Sequence, residues 1–355
     1  TSLEAMDYSR DEVGKLSSES GQSLTVLRRR LAKVDAIHTP EWAYDHGTAA
    51  SLVPFLLAGA WSATNQDDTT VVSLLANAKP YETLEKEFLS LSTLNDAPVW
   101  SAGTIRGVIS QIDLLFAISH AISADDLQRF FDVAEIVLGE DDPKLDLPDD
   151  KRWAAALYGK SRPFSGSLRR SISGTLVLLA VYGNQLFHSR IGFDCEWKSA
   201  KLVERILAPL TTRKLEANDL ELPVYAEAAP DKFLTILEED FKGTQPQSYG
   251  LMRPADPSVF GGGCYRSGLL WALENLAWNP LTLPRASLIL AQLAEIQIED
   301  NWVNKPINSL KSIFRAWMPQ TAAGHEERVK VMRLLAKKFP QVAWQICVGE
   351  FGSGE

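Results

Sequence analysis

"WALENLAWNPLTLPRASLILAQLAEI", residues 271–296, carries one helical run into Pro280 and starts another at Pro284. Proline is comfortable in a first helical turn and disfavours helix in the residue before it, so the stretch reads as a helical hairpin. The same punctuation recurs in the C-terminal half. "PDKFLTILEEDF" starts at Pro230, "VMRLLAKKFP" runs into Pro340, and "PQVAWQICV" starts there. The spacing is irregular, which predicts an all-α, loose HEAT-like or TPR-like array of helical hairpins over residues 151–355. A Pro/Gly-rich loop, "KGTQPQSYGLMRPADPSVFGGGCYRSG" (242–268), interrupts it.

Helical periodicity dominates upstream as well. "PEWAYDHGTAASLVPFLLAGAW" (40–61) reads as a helix bent or broken at Pro54. "DTTVVSLLANA" and "YETLEKEFLSL" form a helical pair joined at Lys79-Pro80, and "LQRFFDVAEIVLG" starts after Asp125 and Asp126 and stops at Gly139. Residues 97–119 depart from this pattern. Pro98, Val99 and Trp100 precede Gly103 and Gly107, which predicts a short hairpin near 97–107 beside a helix. "GEDDPKLDLPDD" (139–150) is an acidic loop and the clearest internal boundary, "KRWAAALYGK" resumes helix, and residues 165–187 read as a long helix buried over its second half. Three parts result: a small helix-turn-helix unit at 1–38, a helical domain at 39–140 and the array at 151–355.

Composition bounds the function. The 355 residues are 45% hydrophobic and 23% charged, ordinary for a folded chain, and the net charge of −9 argues against a nucleic-acid partner. Cys195, Cys264 and Cys347 are too far apart for a disulfide framework or a metal knuckle, which fits the cytoplasm. The longest apolar run, "TLVLLAVYG", is too short to span a bilayer, and the chain opens on Thr as if excised from something longer.

Few residues offer chemistry. "YGKS" (158–161) imitates the end of a phosphate loop, but Ala154 stands where that motif needs glycine. Cys264 sits in a glycine-rich turn, where a thiolate with His325 as base would make a nucleophile; a small buried cysteine is the plainer reading. His38, His46, His120, His188 and His325 show no metal-ligating spacing, and the paired aspartates lack a calcium loop's pattern. Trp271 and Trp278, seven apart, share one helical face, so core packing is the default. The alternative is that Trp271, Trp278, Trp302 and Trp317 line a partner-binding surface. Arg28–Arg30 lie in a helix mostly off the face that carries Leu24, Leu27 and Leu31, a spacing that permits DNA reading but supplies few groups for base edges.

"ESGQSLTVLRRRLAKVDAIHTPEWA" (19–43) resembles the segment after the nucleotide-binding module of large bacterial STAND-type P-loop NTPases. There a small helical lid ends in a Ser-Leu-Thr-x-Leu-Arg-Arg helix. "WALENLAWNPLTLPRASLILAQLAEI", "NWVNKPINSLKSIFRAWMPQT" and "HEERVKVMRLLAKKFPQVAWQICV" resemble the helical region downstream. The resemblance implies a lid remnant at 1–38 and a sensor or scaffold beyond it, in a class that often serves antiphage defence. It implies ATP in the intact protein, with Arg28 or Arg29 near its phosphates, although this chain has no phosphate loop and is expected to hold no cofactor and catalyse nothing itself. The implied partner is a protein ligand or the remainder of a larger chain, with homo-oligomerisation as in the class. A cysteine-dependent enzyme using Cys264 and a DNA-binding regulator using Arg28–Arg30 stand as the alternatives.

Overall fold

The computed structural model describes residues 9–19, 40–94, 96–255 and 264–351. Among the described residues the protein is all-α apart from one small sheet, and an irregular helical-hairpin array makes up the C-terminal part. The chain forms two compact units. One is Thr1–Val133, Phe164–Leu178 and Tyr182–Asp194; the other is Ala134–Pro163, Leu179–Val181 and Cys195–Glu355. Most of residues 164–194 thus cluster with the N-terminal part, not with the array that follows them in sequence. Helix α1 is Arg10–Glu19.

In the first unit, α2 (Glu41–Tyr44) leads into α3 (His46–Ala58), whose N-cap Asp45 accepts the Thr48 amide at 2.8 Å. Pro54 does not break α3; it is buried inside the helix near its end. Gly59 ends α3 with φ 74°, a conformation that favours glycine, and a Cβ there would stand 2.4 Å from Gln111 Nε2. The chain therefore turns at Gly59, and Trp61 lies not in the expected helix but in β1 (Ala60–Ser62). Helices α4 (Gln66–Leu75) and α5 (Tyr81–Leu91) form the expected pair. The expected hairpin follows as β2 (Val99–Ala102) and β3 (Ile105–Val108), with β3 central and antiparallel to both β1 and β2. Helix α6 (Gln111–Ile118) comes next, and α7 (Ala124–Gly139) starts in this unit, which it leaves after Val133.

Phe55 stacks on Trp61 at 5.6 Å, and Phe88 meets both edge-on, so β1 carries the centre of this core. The Trp61 indole N–H donates to Tyr81 Oη at 2.9 Å, and the Tyr81 hydroxyl donates to Glu85, which pairs with Arg106 on β3. Burial is the main cause that pushes the Tyr81 hydroxyl up to about 12. Fully buried Asp68 accepts from the Ser62 amide and from the Ser165 amide and hydroxyl, which tethers the start of α8 (Gly166–Gly183) to this unit. Buried residues recur along the whole of α8, from Leu168 to Tyr182, because the apolar stripe follows its full length; burial is not confined to the second half. A π-helical turn, Asn184–His188, follows it.

In the second unit, the acidic loop and the segment expected to resume α-helix are 3-10 turns, Pro143–Asp146 and Asp149–Tyr158. The array is α9 (Cys195–Leu207), α10 (Thr212–Ala217), α11 (Leu222–Ala228), α12 (Pro230–Asp240), α13 (Ser267–Trp278), α14 (Leu283–Ala294), α15 (Pro306–Ile313), α16 (His325–Lys338) and α17 (Pro340–Phe351). Proline occupies the first turn of α11, α12, α14 and α15 and opens α17. Neighbours pack pairwise: α13 on α14, α14 on α15 and α16 on α17, with α11 the closest partner of α13. No helix of the described residues is long and apolar enough to cross a membrane.

Candidate partner-binding surface

Helix α13 buries Leu269, Leu270, Ala272, Leu273, Leu276 and Ala277, a complete apolar stripe without its tryptophans. Trp271 and Trp278 do share a face, but it is the solvent face, where they are 48% and 58% exposed. The default of core packing fails for these two. The leucines saturate the inner side of the helix, and a 3.6-residue period puts positions 271 and 278 outside.

Two loops bring further tryptophans to the ends of α13. At its N-terminal end, fully buried Arg266 donates two hydrogen bonds to Asp300, at 2.8 and 2.9 Å, and others to the carbonyls of Asn304 and Arg253. Burial opposes ionisation of Asp300, but the amides of Ala255 and Trp302 and the Arg266 charge outweigh it and hold the carboxyl below its usual range. Asn304 also donates to Ser267 Oγ at 2.8 Å, so the 300–305 loop is pinned to the start of α13 and presents Trp302, 43% exposed, and Val303. A cavity of about 630 Å³ lies beside it, lined by Pro254, Ala255, Ile298, Asp300, Trp302 and Lys305.

At the C-terminal end of α13, the Trp278 carbonyl accepts the Ala322 amide at 2.9 Å and the Thr321 hydroxyl at 3.3 Å. The loop between α15 and α16 is thereby fixed there and exposes Trp317 at 74%, with Met318 beside it and the Arg315 guanidinium 5.6 Å above its ring. Leu281, just past α13, is also exposed. Between the two loops, α15 docks on α13 through Ser309, which donates to Glu274 at 2.5 Å. Of the four tryptophans singled out in the sequence, two lie on α13 and two lie in loops hydrogen-bonded to its ends. Trp344 on α17 is 70% exposed too. Single exposed apolar residues are ordinary, whereas large contiguous apolar patches mark interaction surfaces.

Other candidates fare differently. Arg28 and Arg29, like Arg30 and His38, lie outside the described residues. Cys264 is half-buried ahead of α13, His325 is the first residue of α16, and among the described residues no hydrogen bond joins them. Tyr265 lies beneath the Arg253 guanidinium, 4.1 Å from its ring centre, and Arg253 and Arg152 both pair with Glu216, so this neighbourhood is an ionic scaffold. Lys160 of the phosphate-loop mimic pairs with Asp146 at 2.9 Å, and Gly159 ends a 3-10 helix, so no strand feeds it. No protein-family model matches the chain, and no curated protein or solved structure is significantly similar to it.

Proposed function

We propose that this chain is the recognition region of a larger signalling protein of the STAND NTPase type and performs no catalysis of its own. In this reading α13 and its two flanking loops take a protein partner, either an external ligand or another part of the intact protein. The observation that carries it is the exposure of Trp271, Trp278, Trp302 and Trp317 along α13, by 43–74%. Tryptophan supplies a large rigid contact area with a polar N–H, and it is enriched among residues that dominate binding energy. Leucines already complete the helix's core stripe, so these rings are not needed to fold it. The NTPase assignment rests on the sequence resemblance at 19–43 and in the array, and it predicts a phosphate loop encoded upstream in the same reading frame.

Site-specific photocrosslinking in the intact protein tests the surface. With benzoylphenylalanine at position 278, the expected result is a covalent adduct to one defined protein segment, and Trp317→Ser in the same molecule should abolish it. No adduct from positions 271, 278, 302 or 317 in a folded protein would overturn the reading.

A further inference from the structure

The fold of the N-terminal unit brings together two histidines that sequence spacing leaves unrelated. His46 is the first residue of α3, and His120 sits in the 3-10 turn Ser119–Ala121 after α6. Their ring centroids are 5.6 Å apart with planes inclined at 76°, and both residues are exposed. Helix α3 packs against both α6 and that turn, so the two backbones hold a fixed separation. We propose that His46 and His120 form a two-histidine site for a borderline divalent cation: Zn²⁺, Ni²⁺ or Cu²⁺.

The separation suits one shared ion. A metal–nitrogen bond of about 2.0–2.1 Å puts each ring centroid about 3 Å from the ion, so two imidazoles at tetrahedral or wider angles stand about 5–6 Å apart. Each ligating ring keeps the ion in its own plane, which a large angle between the planes permits. Neutral imidazole is the commonest side-chain ligand for these metals.

The charges nearby can be named. The carboxyl of Asp45, next to His46, is held below its usual range chiefly by the Thr48 hydroxyl and then by the Thr48 amide, and it interacts with the His46 charge, so a fixed negative group stands beside the site. The opposing charge is Arg190, whose guanidinium is committed to the carbonyls of Ser119 and Ile122 at 2.9 and 2.6 Å. Among the described residues no three His, Cys, Asp or Glu side chains converge, so water completes the coordination and affinity depends on the two rings acting together.

Isothermal titration of the purified chain with NiCl₂ at pH 7.5 tests this. One ion should bind, with affinity falling at least about tenfold in His46→Ala and in His120→Ala, since either change leaves a single imidazole. Cu²⁺ should give an electron paramagnetic resonance spectrum with two coupled nitrogens, reduced to one in either variant. His188→Ala and His325→Ala should leave both readouts unchanged. Because both ligands are exposed, far-UV circular dichroism of the variants should match that of the parent. The proposal is overturned if no ion binds more tightly than a lone imidazole would hold it, or if binding survives both single substitutions.

Discussion

At the scale of single residues, the buried ion pair beside α13 makes the sharpest demand. Arg266 is fully buried, and every donor of its guanidinium that has a partner points at Asp300 or at the carbonyls of Arg253 and Asn304. Arg266→Met would leave the Asp300 carboxylate buried without its main counter-charge, and breaking such a pair costs about 3–5 kcal/mol. Urea denaturation should show that loss, with Trp302 fluorescence shifting to the red as its loop detaches. Asp219 responds to pH in the opposite way. Burial pushes its carboxyl up to about 6, with the Gly268 amide and Lys144 opposing the rise and Glu221 and Glu216 adding to it. The folded protein therefore binds this proton more tightly than the unfolded chain, whose aspartates titrate near about 3.9. Stability from this group is highest at low pH, declines as pH rises between about 4 and 6, and above that carries the whole penalty. Asp219→Asn should stabilise the protein at pH 7 by roughly 1–2 kcal/mol after allowance for solvent screening. Denaturation midpoints of the two proteins should converge towards pH 4.

At the scale of elements, the sequence was legible wherever proline or glycine set a boundary. The proline-led helices α12, α14 and α17 start within a residue of their expected positions, and the hairpin at 97–107 is β2 and β3. Non-local contacts decide the rest of the fold. The sequence alone predicts helix at Trp61 because nothing in it shows that β3 offers β1 a free edge, or that Phe55 and Phe88 build a ring cluster around that indole. The seven-residue spacing puts Trp271 and Trp278 on one face, but which face looks inward depends on α11, and that contact is non-local. Its tightness is visible at Gly268, where an added Cβ would lie 1.8 Å from the Asp219 carbonyl oxygen. Backbone at that distance cannot yield by a side-chain rotation. Gly268→Ala should therefore separate α13 from the turn before α11 and cost several kcal/mol despite alanine's better helix propensity. Circular dichroism melting should show a depressed midpoint, and Ala272→Gly, which removes a buried methyl from the same helix without a clash, should cost less.

At the scale of the whole molecule, stability and recognition draw on different residues of the array. The inner faces of its helices carry leucine, isoleucine and alanine, while Trp271, Trp278, Trp302, Trp317 and Trp344 are 43–74% exposed. The Arg266–Asp300 bridge holds the loop that displays Trp302. This separation has a measurable consequence. Replacing Trp271, Trp278 and Trp317 together by Ser removes three exposed rings and no core atoms, so the denaturation midpoint should change little, because surface substitutions away from special features usually stay within about 0.5 kcal/mol each. Affinity for a partner, or for the same chain if the surface serves self-association, should fall by more than about tenfold, since anchoring tryptophans typically contribute 2 kcal/mol or more apiece. Sedimentation velocity of the parent and the triple variant over a range of concentrations reads the self-association arm directly. If the variant instead unfolds while its partner affinity per folded molecule is unchanged, the rings belong to the structure of the array and the surface lies elsewhere.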